Sequence, residues 1–457
     1  MGLKRRNYII IAGMLGLILL RFVLILNPLI EPARGITIDS EQYLSLAQNI
    51  LDSGRYESAI APQIDLFRAP GYPLFLTGIF WISAGSLSAV VLVQFVLGLL
   101  CALLLYALGN EMINQRAGIL GSILFLLSPN ALFWSATIMT EILFAAGLLL
   151  ALFMTWRVVR DQFPLWPIGL LLGGLSLIRP IGLYLMLIWG VWLLFGYLLK
   201  AAWIPAARRI ALFFFMGILV VTPWFLRNNA KYGELTLSTV SAATVNAYHL
   251  ALSLVEAEGI GWEDAKLKVQ EMNTDGSALL SIIRSYPVDF IKVQTRGIAR
   301  TVLGTEVGTW MKLITDQPYE GSGILSALLS GKLSMIKEAL VNLSISNSIS
   351  ALFLLAWGLL YTLIISGLSL IGFIHMLRDG EVELRTMAIL FLVIALYLVL
   401  TPGAAGEARF RVPVEPILAF FAAMTLMPKP ERNLVEDKSK QDHNAGGAQG
   451  ENVVTHS

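Results

Sequence analysis

Residues 37–73 of the chain read TIDSEQYLSLAQNILDSGRYESAIAPQIDLFRAPGYP, a polar stretch between two strongly apolar regions. Two carboxylates, Asp39 and Glu41, lie near its start, and Arg68 lies near its end. The apolar regions on either side, residues 7–30 and 74–100, contain a single charged residue, Arg21, so the charges here make this stretch the first candidate for a functional site.

The first half of this stretch has the pattern of a short amphipathic helix. Apolar side chains recur at helical spacing over residues 43–51, and Gly54 is a natural stop. Asp39 is predicted to be the N-cap of this helix, with Gln42 three residues into its first turn. A helix of this kind is expected to lie on a membrane surface, with Asp39 at its N-terminal end.

The composition predicts an all-α polytopic membrane protein. Of 457 residues, 56% are hydrophobic and only 14% are charged, and the mean hydropathy is +0.71. Soluble proteins carry about 25% charged residues, and apolar runs of about 20 residues are long enough to cross a bilayer. The net charge of +2 is uninformative because the charges are segregated, and no nucleic-acid partner is expected. The single cysteine, Cys101, excludes an intrachain disulfide.

The positions of Lys and Arg predict which ends of the apolar runs face the cytoplasm. Residues 4–6 (KRR) precede the first run and keep the N-terminus inside by the positive-inside rule. Residues 71–85 are short for a span and are interpreted as interfacial or re-entrant; counting them as a span would place Glu141 inside. The other runs predict about ten spans, at 8–30, 88–109, 117–135, 141–157, 165–178, 181–199, 210–226, 351–375, 386–401 and 413–427.

This topology divides the chain into four parts. Residues 1–227 form an N-terminal membrane module that carries the first outer loop at 31–70. Residues 228–350 form an extracytoplasmic helical region, 351–428 form the C-terminal membrane helices, and 429–457 form a disordered cytoplasmic tail. We expect a multi-pass protein of the inner (plasma) membrane, with its site on the periplasmic or extracellular face.

The unusual polar residues gather at the outer ends of several predicted spans. Carboxylates there could take a proton from an attacking hydroxyl or amine, and arginines could hold a phosphate and stabilise it as it leaves. A lipid-linked sugar phosphate suits this location, because its tail would lie in the bundle and its head group at the interface. The residues concerned are Asp39, Glu41, Arg68, Glu141, Arg179, Arg227, Glu407, Arg409 and Arg411.

Six short motifs, in this order and spacing, resemble the GT-C glycosyltransferases, closest to the bacterial branch related to protein O-mannosyltransferases and the lipid A aminoarabinose transferase. They are DSEQY at 39–43, RAPGYPLFL at 68–76, TE at 140–141, LIRP at 177–180, PWFLRN at 223–228 and ARFRVPVEP at 408–416. The resemblance covers about residues 1–235 and 385–428. It implies a GT-C-like bundle, a polyprenyl-phosphate sugar donor, an extracytoplasmic acceptor, membrane lipids as surroundings, and inversion at the anomeric carbon.

The resemblance also implies roles for individual residues. Asp39 matches the catalytic acidic residue of the first outer loop, Arg68 matches a basic residue that contacts the donor phosphate, and Glu141 matches a second acidic position. With the residues of the outer cluster added, donor-phosphate binding is predicted for Arg68, Arg409 and Arg411, and substrate binding for Glu141, Glu41, Arg179 and Arg227.

The predicted loop departs from the resemblance at one position. The aminoarabinose transferase has an acidic residue, implicated in metal binding, just before the basic residue of this loop, whereas this chain has Phe67. We therefore expect no required metal or other cofactor at that place, although His249 leaves a divalent metal open.

Each candidate residue also has a purely structural interpretation. Asp39 and Glu141 would then only cap helices, and the arginines would only anchor the protein to lipid head groups. Two other functions stay open as well: a transporter or flippase of lipid-linked glycans, and a scaffold that binds partners through its outer region. A transporter needs charges along a path across the bundle, whereas here they cluster on one face, with Arg21 the main exception. Neither the sugar nor the acceptor (a glycan, a lipid or a protein) follows from the sequence.

Overall fold

A computed structural model describes residues 2–199, 203–272, 277–315, 334, 337 and 349–427. Every regular element in these ranges is helical, which confirms the predicted all-α class. The predicted cytoplasmic tail, 429–457, and most of 316–348 in the predicted outer region lie outside the described residues.

The first half of the chain contains helices α1 to α12. They are α1 (Gly2–Leu24), α2 (Leu26–Ile30), α3 (Ile38–Ser53), α4 (Ile64–Phe67), α5 (Gly71–Ser83), α6 (Leu87–Met112), α7 (Gln115–Leu126), α8 (Pro129–Ala136), α9 (Glu141–Val159), α10 (Trp166–Ile178), α11 (Gly182–Leu199) and α12 (Trp203–Tyr232).

The second half contains the helices of the predicted outer region and the C-terminal apolar helices. They are α13 (Val240–Thr244), a π-helical turn (Val245–Leu250), α14 (Ala251–Glu258), α15 (Trp262–Met272), α16 (Ala278–Ser285), α17 (Pro287–Leu303), α18 (Val307–Ile314), α19 (Ile349–Asp379), α20 (Val382–Leu400), two 3₁₀ segments (Gly403–Ala405 and Ala408–Val414) and α21 (Glu415–Thr425).

The apolar helices make this a multi-pass membrane protein. In the described part of the chain, five helices are long and apolar enough to cross a membrane, and a sixth span results if the bent pair α7–α8 is one span. Four shorter apolar helices accompany them, so the predicted count of about ten spans is not confirmed. The long spans are α6, α9, residues 207–232 of α12, residues 350–379 of α19, and α20.

The third predicted span, 117–135, is broken in the structure. Helices α7 and α8 meet at an angle of 60°. Ser128 caps α8 by accepting from the Ala131 amide at 2.9 Å, and Pro129 occupies the first helical position, where its missing N–H is not needed. Arg21 donates to the Leu126 carbonyl at 2.6 Å, so its buried guanidinium satisfies the end of α7. Because of this break, all eight residues of α8 are buried in the core. The break also brings the start of α9 close to the first loop, which carries Asp39.

Helix α3 begins two residues earlier than predicted. Thr37, rather than Asp39, is the N-cap, because its hydroxyl accepts from the Ser40 amide while the Ser40 hydroxyl accepts from the Thr37 amide. Asp39 is the second residue of the helix, so its carboxylate is free to contact other segments. Gly54 ends the helix in the left-handed conformation, with φ 71°, as the sequence predicted.

Helix α5 holds the end of the first outer loop against the bundle. Its 13 residues rise about 20 Å, less than the hydrocarbon thickness of about 30 Å. Tyr72 is fully buried and donates to Gln94 of α6 at 2.6 Å, whereas Trp81 is 78% exposed at the far end. Gly71 lies against the backbone of α10, where a Cβ would overlap the Leu177 carbonyl group. This packing fixes the position of Arg68, three residues before α5.

Helix α17 holds the C-terminal turn that follows α20. A Cβ on Gly297 would overlap the Gly403 carbonyl, and a Cβ on Gly406 would overlap the Gly297 carbonyl, so the backbones of the helix and the turn are in close contact. Arg300 donates to the Ala404 carbonyl at 2.7 Å. The turn that carries Arg409 is therefore positioned by the outer region as well as by the membrane helices.

Candidate active site

A cavity of about 590 Å³ lies where the first outer loop, the start of α9, the α10–α11 turn, the π-helical turn and the C-terminal turn meet. One part of its wall is charged, with Asp39, Arg68, Glu141, Arg179 and Arg409. Another part is apolar and includes Phe144, Ile178, Ile181, Tyr184 and Leu398. A ligand with an anionic head and an apolar tail matches this division of the wall.

Asp39 bridges two arginines that come from distant parts of the chain. Its Oδ1 lies 2.5 Å from Nη2 of Arg68, and its Oδ2 lies 2.9 Å from Nη1 of Arg409. Arg68 also donates to Gln42 at 2.8 Å and to the Tyr43 hydroxyl at 3.2 Å. The two arginines therefore point into the cavity from opposite sides of one carboxylate.

Aromatic rings fix the plane of the Arg68 guanidinium. It lies over the ring of Tyr43 at 4.7 Å and over the ring of Phe67 at 4.8 Å, measured to the ring centroids. Such cation–π contacts stabilise a cation that is only 7% exposed. Phe67 thus contributes an aromatic face to Arg68, the candidate for phosphate binding.

The charges around Asp39 keep it ionised. Burial raises the pKa of this carboxyl, but the adjacent Arg68 and Arg409 guanidiniums outweigh burial, and the net pKa is below its usual range. Burial lowers the pKa of Arg409, but the carboxylates of Glu407, Glu141 and Asp39 outweigh it, so this guanidinium stays charged. At neutral pH the site therefore holds a carboxylate between two cations.

Glu141 and Arg179 form a second ion pair in the same cavity. Oε1 of Glu141 lies 3.4 Å from Nη1 of Arg179, and Glu141 is 1% exposed. Glu141 is the first residue of α9, where the helix dipole favours an anion. Arg179 lies between the rings of Phe144 and Phe410, at 5.8 and 5.4 Å from their centroids. Five of the eight predicted site residues are thus brought together.

The structure does not bring Arg411 into this cluster. Its guanidinium is 4% exposed and donates to the carbonyls of Thr301, Val302 and Gly304, to the Thr362 hydroxyl and to Glu415. These five partners match its five donors, which leaves none for a donor phosphate. The contacts give Arg411 a structural role that joins α17 to α21, in place of the predicted contact with the donor.

Arg227 and Glu41 also lie away from the cavity wall. Arg227 donates to the carbonyls of Tyr56 and Asp65, and it packs on Trp224 at 4.6 Å, so it fastens the first outer loop to the end of α12. Glu41 is exposed on α3, and it does not line the cavity.

One further wall of the cavity could not be predicted from the sequence. Ser241, Thr244, Tyr248 and His249 line it from α13 and the π-helical turn. They come from the outer region, where the polar and apolar residues follow no repeat, and only His249 was singled out. Among the described residues, no three His, Cys, Asp or Glu side chains are grouped so as to hold a metal ion. The expectation that no metal is required stays a prediction.

Comparisons with known proteins agree with the predicted fold. Residues 68–226 match the family model described as dolichyl-phosphate-mannose-protein mannosyltransferase. No curated protein sequence gives a significant match.

Two kinds of solved structure resemble the chain. The archaeal oligosaccharyltransferase AglB from Archaeoglobus fulgidus, in complex with an inhibitory peptide and a dolichol-phosphate, aligns with a TM-score of 0.51 and 15% identity over 99% of this chain and 53% of AglB. The chain thus spans about half of the AglB chain. ArnT from Cupriavidus metallidurans, bound to undecaprenyl phosphate, aligns with a TM-score of 0.42 and 13% identity over 91% of this chain and 78% of ArnT. The chain therefore has the GT-C-like membrane fold that the sequence predicts, and its residues 68–226 are similar to the protein mannosyltransferase family.

Proposed function

We propose that the protein is an integral-membrane glycosyltransferase that moves a sugar from a polyprenyl-phosphate donor to an acceptor outside the cytoplasm. The observation that carries this proposal is Asp39 held between Arg68 and Arg409 in a cavity with an apolar wall. The arrangement supplies a base and two phosphate-binding cations within one site. AglB and ArnT, whose structures contain dolichol-phosphate and undecaprenyl phosphate, make the same donor class the natural first test.

The donor phosphate competes with Asp39 for the same guanidinium groups. Arg68 and Arg409 each present N–H donors that pair well with phosphate oxygens. When the phosphate binds, it takes over some of these donors and loosens the Asp39 contacts. The polyprenyl chain then lies along the apolar wall formed by residues such as Ile181 and Leu398.

The transfer is a single displacement with inversion. The acceptor oxygen or nitrogen attacks the anomeric carbon while its proton passes to the Asp39 carboxylate. The bond between the anomeric carbon and the phosphate oxygen breaks, and its electron pair leaves with the polyprenyl phosphate. Arg68 and Arg409 stabilise the negative charge that develops on that oxygen.

Donor binding is expected to raise the pKa of Asp39 and so make it a stronger base. The negative phosphate offsets the two cations that hold this pKa low in the free enzyme. Activity requires ionised Asp39, so the rate falls as the pH drops through its pKa. The fall of kcat/KM for the donor at acid pH gives the pKa of Asp39 in the free enzyme, and the fall of kcat gives its pKa in the donor complex. We expect the fall of kcat to lie at higher pH; coincident falls, or a fall of kcat at lower pH, would contradict the competition.

The direct test of function is the release of lipid phosphate by the purified protein. A panel of polyprenyl-phosphate sugars is incubated with the protein and a cell-envelope extract as acceptor source, and polyprenyl phosphate is measured by mass spectrometry. We expect release from at least one donor. Absence of release from every donor, in protein shown to be folded, would refute the proposed reaction.

The phosphate-binding role makes a separate prediction for Arg68. Arg68→Gln removes a charged hydrogen bond to the phosphate, which corresponds to about a 10- to 100-fold increase in donor KM. Arg157→Gln is a matched control, since Arg157 pairs with Glu111 far from the cavity wall. An unchanged donor KM in Arg68→Gln would remove Arg68 from the donor site.

We infer that the protein lies in the inner (plasma) membrane with this cavity on the outer side, on the basis of the Lys and Arg distribution. Ile60 in the first outer loop is 56% exposed and suits a labelling test. In a Cys101→Ser background, Ile60→Cys is expected to react with a membrane-impermeant maleimide on intact cells or spheroplasts. Reaction only after lysis would show that this loop lies on the cytoplasmic side and would contradict the predicted topology.

A further inference from the structure

One wall of the cavity consists of uncharged hydrogen-bonding groups. Ser241 and Thr244 lie one turn apart on α13, and Tyr248 and His249 follow on the π-helical turn. A π-helical turn is rare, and such turns occur frequently at functional sites. Here the turn coincides with the two consecutive residues, Tyr248 and His249, that both line the cavity.

These groups are available to a ligand. The hydroxyls of Ser241 and Tyr248 make no hydrogen bond to any residue that the structure describes. The Thr244 hydroxyl donates to the Val240 carbonyl at 2.8 Å, which leaves its oxygen free to accept. The wall therefore offers both donors and acceptors, as the hydroxyl groups of a sugar require.

His249 belongs to this uncharged set. Burial lowers the pKa of its imidazole, while a hydrogen bond with the Pro402 carbonyl acts in the opposite direction and is outweighed. The ring is therefore neutral at pH 7, and a neutral imidazole offers one N–H donor and one nitrogen acceptor. Tyr248 packs near Trp262, with ring centroids 6.2 Å apart, so its ring is supported from the outer region.

The charged groups of the cavity leave no partner for a charged sugar. The carboxylates that line it, Asp39 and Glu141, are each paired with arginine. Donor binding releases Asp39 in part, but an ammonium paired with Asp39 would block its uptake of the acceptor proton. Arg179 is held by Glu141 between two aromatic rings, so it is not free for a sugar carboxylate.

We propose that the wall formed by Ser241, Thr244, Tyr248 and His249 binds the transferred sugar of the donor, and that this sugar is uncharged. The inference rests on the proposed function, because the phosphate anchored at Arg68 and Arg409 brings the attached sugar into the same cavity. The sugar hydroxyls pair with the neutral wall, while a cationic amino sugar or an anionic uronic acid enters without a counter-ion.

The test compares three donors that differ at one group: a neutral hexose, the same hexose with an amino group replacing one hydroxyl, and its uronic acid, all on one polyprenyl phosphate. We expect kcat/KM for the neutral donor to exceed both others by at least about tenfold. Equal or faster use of a charged donor would overturn the inference and leave the proposed function standing. Failure to bind or use any of the donors would overturn both.

Two variants separate recognition from folding. Ser241→Asp adds a carboxylate without an arginine to the wall and is expected to shift the ratio of kcat/KM values at least tenfold toward the amino-sugar donor. His249→Phe is expected to lower kcat/KM for the neutral donor about tenfold while the affinity for bare polyprenyl phosphate is unchanged. His375→Phe, in the last turns of α19, is the matched control.

Three outcomes would contradict the assignment. An unchanged donor ratio in Ser241→Asp would exclude the wall as the sugar site. A parallel loss of bare polyprenyl phosphate affinity in His249→Phe would reveal a general structural role. A change confined to the acceptor KM would assign the wall to a sugar of the acceptor instead of the donor.

Discussion

Asp39→Asn is expected to lower kcat by about 10²–10⁴-fold, the usual contribution of a general base, in a protein that still folds. The amide keeps the shape of the side chain, and one oxygen still accepts from Arg68 or Arg409. It cannot take the acceptor proton, so the attacking group stays protonated in the transition state. Asp39 is half-buried at the start of α3, and the capping pair Thr37 and Ser40 holds this turn without its help.

The same substitution is expected to leave donor binding intact or to tighten it. Asp39 competes with the phosphate for the two guanidiniums, so removing its charge frees them. The measurement is the dissociation constant of bare polyprenyl phosphate beside single-turnover transfer. Asp52→Asn, an exposed change near the other end of α3, is the control and should be unaffected in both assays. Near-normal transfer by Asp39→Asn would exclude it as the base.

The local part of the site was predictable because its residues lie in one loop. Asp39 lies at the start of α3, and Arg68 follows 29 residues later, just after α4. The chain between them is short enough to return along α3 and bring the two side chains together. Arg409 could be added only through the predicted topology, which places it on the same membrane face, since it meets Asp39 across 370 residues. No periodicity in the sequence carries that contact; it depends on how α17 and the bundle hold the C-terminal turn.

Other parts of the structure left no usable pattern. The break between α7 and α8 was not predicted because it lies within one continuous apolar run. Hydropathy does not detect a bend, and only Pro129 marks its position. The wall with Tyr248 and His249 follows a π-helical turn, whose register departs from the 3.6-residue period used to predict helix faces. The capping error at Asp39 has a simpler cause: Thr37 forms its capping box with a serine, where the usual partner is Glu or Gln.

Arg409 and Arg411 were predicted to act alike, and the structure separates them for a geometric reason. Both lie in the 3₁₀ segment Ala408–Val414. With three residues per turn, side chains two positions apart point about 120° from each other around the axis. Arg409 consequently faces Asp39, whereas Arg411 faces the loop between α17 and α18.

Arg411→Met is therefore expected to destabilise the protein by about 3–5 kcal/mol, the usual cost of removing one partner of a buried ion pair. It leaves Glu415, 1% exposed, with only the neutral partners Ser128 and Asn130, and it leaves the carbonyls of Thr301 and Val302 without this donor. Thermal unfolding in detergent or nanodiscs measures the loss, and the donor KM of the remaining folded fraction should be unchanged.

Arg409→Met should give the opposite pattern, a raised donor KM with a smaller change in stability, because Asp39 retains Arg68. The double variant Arg411→Met, Glu415→Met should recover part of the stability lost in Arg411→Met, since removing both charges no longer leaves one unpaired. A stable Arg411→Met protein with a raised donor KM would instead return Arg411 to the phosphate site that the sequence predicted. The crossed comparison of the two arginines thus separates phosphate binding from the fastening of α17 to α21.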